Sequence, residues 1–245
     1  MRMRHFLLQE VMMESFFYKD PYEENGKTIL ELNLFPGKYC NFNCIFCPVS
    51  RKLPHQQTQD PVNVGNLDAA ILDLQQKIRA VKPDLVFINS LGEALLLIGL
   101  EKVIHTIHKE NVPVRLLSNG YLYGNQKYAA LAGTCEEVIG ELKMGREEAF
   151  QKAQRPLAGY TVRQHIENMA EFRKSYPGRF HLEITVVRGY SDDSASLSVF
   201  RDAVAAIKPD VLQVVTPEAP FDKVLGLPQD RLEAIAGELQ KSLGA

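Results

Sequence analysis

Six short apolar segments of strand character alternate with amphipathic helical patterns, and this alternation restricts the fold more than any other feature of the chain. The segments are TILELNLF (28–35), DLVFINS (84–90), VPVRLLS (112–118), EEVIGELK (136–143), FHLEITVV (180–187) and DVLQVV (210–215). Helical patterns fall between them over 66–81, 99–110, 125–133, 161–176 and 197–208, and a last one covers 229–243. In the first helix Ala70, Ile71, Leu74, Ile78 and Val81 recur at three- and four-residue spacing and form one apolar face. Lys82-Pro83 ends it, because a proline ring disfavours a helical residue before it. The same Lys-Pro-Asp stop returns at 208–210, again just before a strand. Strands separated in this way run parallel and are joined by right-handed crossovers. Six units fall short of the eight of a closed barrel. The expected fold is therefore α/β, a partial (β/α)6 barrel of parallel strands with helices outside, and a doubly wound flat sheet is the alternative. The expected division is an N-terminal extension packed on the barrel (1–27), a core (28–216) and a C-terminal loop and helix (217–245).

Charge and cysteine content narrow the function. The 245 residues carry 28 basic and 30 acidic side chains, and a net charge of −2 excludes binding to a polyanion through bulk charge alone. No apolar run approaches the ~20 residues that span a bilayer. The N-terminal MRMRHFLLQEVMMESFF begins basic, but Gln9 and Glu10 interrupt its apolar stretch and no small-residue cleavage site follows. It reads as part of the folded protein rather than a signal peptide, and a reducing cytoplasm is the expected compartment. Of the four cysteines, three lie within eight residues and Cys135 lies far away, which is no disulfide framework. Cys135 reads as a small packing residue.

The loop after the first strand is PGKYCNFNCIFCPVSRK, with Cys40, Cys44 and Cys47 in a C-x3-C-x2-C arrangement. Three thiolates so close together can converge on one soft metal centre. Ordinary buried cysteines fit poorly, because the loop carries Asn, Pro and Gly rather than a periodic apolar pattern. Two metal readings stand. Zinc would take His55 as a fourth ligand, making a non-enzymatic Cys3His module. An iron–sulfur cubane normally has four cysteine ligands, and with three it keeps one iron open to a ligand from solution. No acidic side chain lies between Glu31 and Asp60, whereas Lys38, Arg51 and Lys52 are basic, which suits a negatively charged cluster.

This spacing, with Phe46 just before the last cysteine, resembles the radical S-adenosylmethionine (SAM) superfamily. The resemblance implies one [4Fe-4S] cluster on Cys40, Cys44 and Cys47 whose open iron chelates the amino and carboxylate groups of SAM. It also implies a flavodoxin- or ferredoxin-like electron donor, and reductive cleavage of SAM to a 5′-deoxyadenosyl radical that abstracts hydrogen from substrate. In SLGEAL, after the second strand, Gly92 and Glu93 match the family's Gly-Glu-Pro, whose glutamate region meets the SAM amino group, while Ala94 replaces the proline. Glu93 also reads as a carboxylate at a helix N-terminus. In LLSNGYL, after the third strand, Ser118-Asn119-Gly120 matches the family's Ser/Thr-Asn-Gly segment and equally reads as a turn.

The finer resemblance is to the branch of tRNA wyosine-base synthases and their short relatives, over residues 30 to 220 or so, with EEAFQKAQRP its most distinctive part outside the cysteines. The departures fall where substrate should bind. Leu142-Lys143-Met144 stands for the branch's Leu-Asp-Ala, Ser191-Asp192 for its Asn-Asp, and Thr216-Pro217-Glu218-Ala219-Pro220 lacks its arginine. Cysteines for the second cluster of that branch are also missing. The cofactor chemistry carries over firmly and the tRNA substrate hardly at all.

Functional residues of a parallel barrel gather at the C-terminal strand ends. The cysteine loop, Glu93, Ser118, Lys143, Arg188 and Thr216 follow or end the six strands in turn. By charge, Lys143 or Arg188 suits the SAM carboxylate, and Ser118 and Glu183 suit the ribose hydroxyls. Glu183 alternates with Leu182 and Ile184, so one parity faces the barrel interior and the other the helices; an inward Glu183 needs a partner. The alternative for Lys143 is a solvated strand-end lysine. His105 and His108 lack a third ligand, and His165 and His181 show no constellation around them. Lys143, Arg146, Lys152 and Arg155 are interspersed with Glu141, Glu147 and Glu148, a solvated face rather than a nucleic-acid footprint. The substrate stays open between a small molecule, a peptide or protein and an RNA nucleotide. A glycyl-radical activase acting on a partner protein shares the same cofactor chemistry.

Overall fold

A computed structural model describes residues 15–49 and 52–244; the first fourteen residues of the N-terminal extension, and Arg51, lie outside the described residues. Six parallel strands, β1 (Lys27–Asn33), β2 (Leu85–Ile88), β3 (Val114–Ser118), β4 (Glu137–Leu142), β5 (Arg179–Thr185) and β6 (Val211–Val215), pair in that order among the described residues. A doubly wound sheet reverses its strand order at a switch point. Here the order runs in one direction, so all the crossover helices fall on one face of an α/β sheet. The sheet stays open: β6 pairs only with β5, and the short strands Phe17–Tyr18 and Tyr22–Glu24 pair antiparallel with β1.

The helices are α1 (Leu67–Val81), α2 (Leu100–Lys109), α3 (Gln126–Ala132), α4 (Val162–Ser175), α5 (Ser194–Ile207) and α6 (Gln229–Gln240). The repeated Lys-Pro-Asp stop has a double use. Lys82 and Lys208 close α1 and α5 in the left-handed conformation, at φ 53° and 52°. The following aspartates accept backbone N–H bonds from neighbouring strands, Asp84 from Thr28 and Asp210 from Phe180, each at 2.8 Å. Helix α5 begins three residues before its apolar pattern, because Asp193 accepts from the Ser196 N–H at 3.0 Å and caps it there. No helix among the described residues is long and apolar enough to cross a membrane.

Strand parity sorts the side chains. Leu30, Leu32, Val86, Ile88, Leu116, Val138, Leu182 and Ile184 pack with Leu74, Ile78, Val103, Ile107, Phe200 and Val204 in the sheet–helix core, which also holds Cys135. The opposite parity lines the concave face. There Ile29, Leu85 and Phe87 form a small apolar floor. Arg115 beside it bonds Glu24 and Glu137, both at 2.7 Å. His181 lies 3.2 Å from Glu137, so it does have a partner, and together His181 and Arg115 hold the Glu137 carboxyl down to about 2.

Candidate functional site

The cysteine loop grows from β1 through a strand pair that periodicity does not reveal. Lys38–Cys40 runs parallel to His55–Gln57, with Lys38 opposite His55 and Cys40 opposite Gln57. Cys40 and Cys44 are buried, Cys47 is half-buried, and all three thiols are free. Phe42, Phe46, Met144 and Phe150 pack around them. Burial pushes the Cys44 thiol up to about 12 and the Cys40 thiol higher still, with the Glu93 carboxylate adding to the latter. Without a positive centre these sulfurs stay protonated.

A distant segment straps the loop down. The helical turn Glu147–Ala149 widens into a π-type turn over Phe150–Gln154, where the Arg155 N–H reaches the Phe150 carbonyl at 3.0 Å. Arg155 then turns left-handed at φ 49°. Asn43 donates to the Arg155 carbonyl (3.0 Å), Ile45 to that of Ala153 (2.9 Å), and Leu157 to that of Asn41 (3.2 Å). The Gln57 amide adds a bond to the Arg155 carbonyl at 2.8 Å. Phe150, Ala153 and Gln154 are the buried residues of the turn. EEAFQKAQRP is thus a clamp on the cysteine loop, which gives its distinctiveness a physical basis.

The second strand end packs directly on this loop. A Cβ at Gly92 would lie 2.0 Å from the Tyr39 carbonyl oxygen, and the Glu93 N–H bonds that same oxygen at 2.7 Å. Neither backbone can yield, so Gly92→Ala is expected to cost about 1–3 kcal/mol or more and to loosen the loop, read as a lower urea midpoint with faster alkylation of Cys40.

Glu93 is only 1% exposed. Its carboxylate accepts from the Leu95 N–H (3.2 Å), capping the turn Ala94–Leu96, and from the Asn119 N–H (2.9 Å), stapling the end of β2 to that of β3. Burial pushes its carboxyl up to about 7 in spite of those bonds. A carboxyl raised in this way contributes stability that is complete below the unfolded value near 4.5 and lost as pH rises through 7. Relative to Glu93→Gln, the wild type is therefore expected to lose up to about 3 kcal/mol between pH 4.5 and 7.5 in urea unfolding. A pH-independent difference would refute this.

Ser118 is buried and accepts from the Gly120 N–H at 3.1 Å. Gly120 takes φ 85°, as an Asn-Gly turn requires. Asn119 is the junction. Its Nδ2 donates to Asn41 Oδ1 at 2.6 Å and lies 3.7 Å from Cys40 Sγ, its Oδ1 accepts from the Tyr121 N–H, and its carbonyl accepts from His165 Nε2 at 2.6 Å.

At the next two strand ends charges meet on the concave face. Lys143 directly follows β4 and bonds Glu141 at 2.6 Å. Glu183 stands opposite Glu141 in the sheet, with Leu182 and Ile184 in the helix-side core, so Glu183 faces inward. Burial alone would lower the Lys143 ammonium, but Glu141 and Glu183 hold it above its ordinary range. Burial and the Glu141 charge push Glu183 up to about 7. Lys143 is thus a paired, half-buried cation and not a solvated strand-end lysine.

Arg188 differs from expectation. Strand β5 ends at Thr185, so Arg188 lies three residues beyond it, exposed, with its N–H on the Leu225 carbonyl at 2.9 Å. Thr216 follows β6, where its hydroxyl accepts from the Leu227 N–H at 2.8 Å and lies 3.2 Å from the Val186 carbonyl, a fastening role. Three residues join the site that sequence reasoning passed over: Asn41, Gln154 and His165. His165 had a visible signal, since it stands with Val162, Met169 and Phe172 on the buried stripe of α4.

The donor set fits an iron–sulfur cluster. Three free thiols share one clamped loop, the Phe42 N–H lies 3.4 Å from Cys40 Sγ, and the buried Asn41 Nδ2 and Gln154 amide have no partner among the described residues. No three His, Cys, Asp or Glu side chains among the described residues form a ligand set for a single ion. His55 sits opposite Lys38, at the far end of its strand pair from Cys40.

The sequence profile of the radical SAM superfamily matches residues 34–197. The chain belongs to the radical SAM superfamily. Radical SAM proteins are enzymes whose cofactors are a [4Fe-4S] cluster and SAM. A UPF0026 protein of Helicobacter pylori (strain J99) is 25% identical over 211 residues, covering 84% of this chain and 68% of that protein. A protein named GTPase Obg from Brachyspira hyodysenteriae is 26% identical over 190 residues, 76% of this chain but only 28% of that protein. Among solved structures, TYW1 with a lysine–pyruvate adduct bound superposes with TM-score 0.62 at 18% identity, covering 87% of this chain and 73% of that one. Streptococcus suis SuiB bound to S-adenosylmethionine gives TM-score 0.60 at 14% identity, over 88% of this chain and 46% of that one. At such identities the structural likeness establishes the radical SAM fold.

Proposed function

We propose that this radical SAM protein binds one [4Fe-4S] cluster through Cys40, Cys44 and Cys47 and begins a radical reaction on a substrate held at the open concave face. The observation that carries this reading is the clamped three-thiol loop at the end of β1, adjoining the half-buried Lys143–Glu141–Glu183 group. A cluster held by Cys40, Cys44 and Cys47 would supply a one-electron reductant beside bound SAM, the chemistry from which hydrogen abstraction on a substrate would start. The chain's own residues bind and orient. Phe46 walls the loop and Gly92 lets β2 approach it. Glu93, Ser118 and Asn119 fix the ends of β2 and β3 around the cofactor. Lys143 offers an ammonium to the SAM carboxylate, and Glu183 offers a carboxylate to the ribose hydroxyls. Arg188 is exposed three residues past β5, so in this reading the SAM carboxylate falls to Lys143 rather than to Arg188.

Residues 28–216 form the catalytic core in this reading, and 217–245 close it. A flavodoxin- or ferredoxin-like protein delivers the electron. Anaerobic purification and reconstitution test the proposal. It requires a brown protein with about four irons per chain that makes 5′-deoxyadenosine from SAM when reduced. A colourless protein holding zinc on the same cysteines would overturn it.

A further inference from the structure

We propose that His165 is a positioning residue that, from helix α4, sets the Asn119 carboxamide against the Cys40 sulfur and so helps fix the reduction potential of the bound cluster. The inference rests on a cluster being held by the three cysteines.

Asn119 spends each polar group in a different direction. Its N–H goes to Glu93, its Oδ1 takes the Tyr121 N–H, and its Nδ2 goes to Asn41 and toward Cys40 Sγ. Its carbonyl takes the His165 Nε2–H at 2.6 Å, from a residue 46 positions away. The His165 contact ties Asn119 itself to the helix layer, while Asn168 of the same helix holds the Tyr121 carbonyl two residues on at 2.7 Å; without His165 the residue carrying the carboxamide loses its own tie to α4.

The ring itself argues for a retained purpose. His165 is fully buried and lies against Phe42, Tyr121 and Phe150, with ring centroids 5.5–6.0 Å apart. Burial holds it neutral, down to about 4. With Nε2–H donating to the carbonyl, Nδ1 carries a lone pair, and it has no partner among the described residues. Phenylalanine would fill an aromatic cage without stranding a nitrogen, so packing alone does not account for histidine here. What histidine adds is the donor to Asn119.

Hydrogen bonds to cluster sulfurs stabilise the more negative, reduced state and raise the potential. Cys40 Sγ has two such donors within reach, the Phe42 N–H at 3.4 Å and Asn119 Nδ2 at 3.7 Å. Only the second can swing.

The test is an electron-paramagnetic-resonance redox titration of reconstituted wild type, His165→Phe, His165→Gln, Asn119→Ala and the Asn119→Ala/His165→Phe double variant. His165→Phe is expected to keep its iron but to hold about tenfold less reduced cluster relative to oxidised at the wild-type midpoint, a downward shift of about 59 mV. His165→Gln, which restores an N–H donor, should recover most of this. Asn119→Ala should shift the same way, and the double variant should add little to it. An unchanged midpoint in His165→Phe, or fully additive shifts, overturns the inference while leaving the cluster assignment intact. If His165→Phe does not fold, an Asn119→Ala midpoint equal to wild type overturns it alone. A wild type that takes up no iron overturns both.

Discussion

Replacing Cys44 by alanine is expected to give a folded protein that holds no intact cluster and makes no 5′-deoxyadenosine from SAM. Cys44 is buried, and without metal its thiol stays protonated up to about 12, so in the metal-free protein it is only a small apolar side chain. Alanine removes one sulfur from a pocket lined by Phe42, Phe46 and Phe150, a loss of about 1 kcal/mol. Function has no such tolerance. Groups one layer outside a metal ligand already cost 10–100-fold when changed, so loss of a ligand should lower SAM cleavage by more than about a hundredfold. Unfolding midpoint, iron content and product formation separate the two effects. Continued SAM cleavage by Cys44→Ala would show that this loop does not hold the cluster.

The second large effect is expected at Lys143. Methionine there keeps the length and volume of the side chain but leaves Glu141 and Glu183 side by side on paired strands without their cation. Removing one member of a buried ion pair costs about 3–5 kcal/mol; both side chains here keep 15% exposure, so the lower figure is the expectation. The sign of the pH dependence is fixed. Glu183 already titrates near 7, above its unfolded value, and loss of the ammonium raises it further. Protonation relieves the repulsion, so the deficit should be small at pH 5 and full at pH 8 in urea unfolding. SAM affinity, measured by equilibrium dialysis of the reconstituted protein, should fall with Lys143→Met and be partly retained in Lys143→Arg. A deficit equal at both pH values would mean that the lysine does not neutralise this carboxylate pair.

How far these features could be read from sequence depended on whether their cause was local. The six strands and their helices followed from periodicity, and the Lys-Pro-Asp stops marked two helix ends because proline acts on its own neighbour. The cysteine triplet was equally legible, since its chemistry is written in spacing. Partial barrel and flat sheet could be separated only by strand order, which pattern does not encode. The strap was visible as an unusual segment but its seat was not, because its bonds join residues more than a hundred positions apart. Arg188 was read as ending β5, three residues late, because apolar residues continue for two positions past the last ladder residue of β5. His165 was set aside for the opposite reason: its partner is a backbone carbonyl, which no side-chain pattern can announce.

The seat of the strap has a bearing on biogenesis. All three thiols are made within the first 47 residues, yet the carbonyls that pin their loop belong to Ala153 and Arg155. A chain emerging from the ribosome therefore exposes its metal-seeking sulfurs long before it owns the scaffold that arranges them. Iron and sulfide delivered during that interval meet a loose trithiol, open to stray metals and oxidants. Under the proposed assignment cofactor insertion belongs after β4 and the strap have been synthesised, and a fragment ending before Leu157 would carry all three cysteines without the full set of bonds that seats their loop.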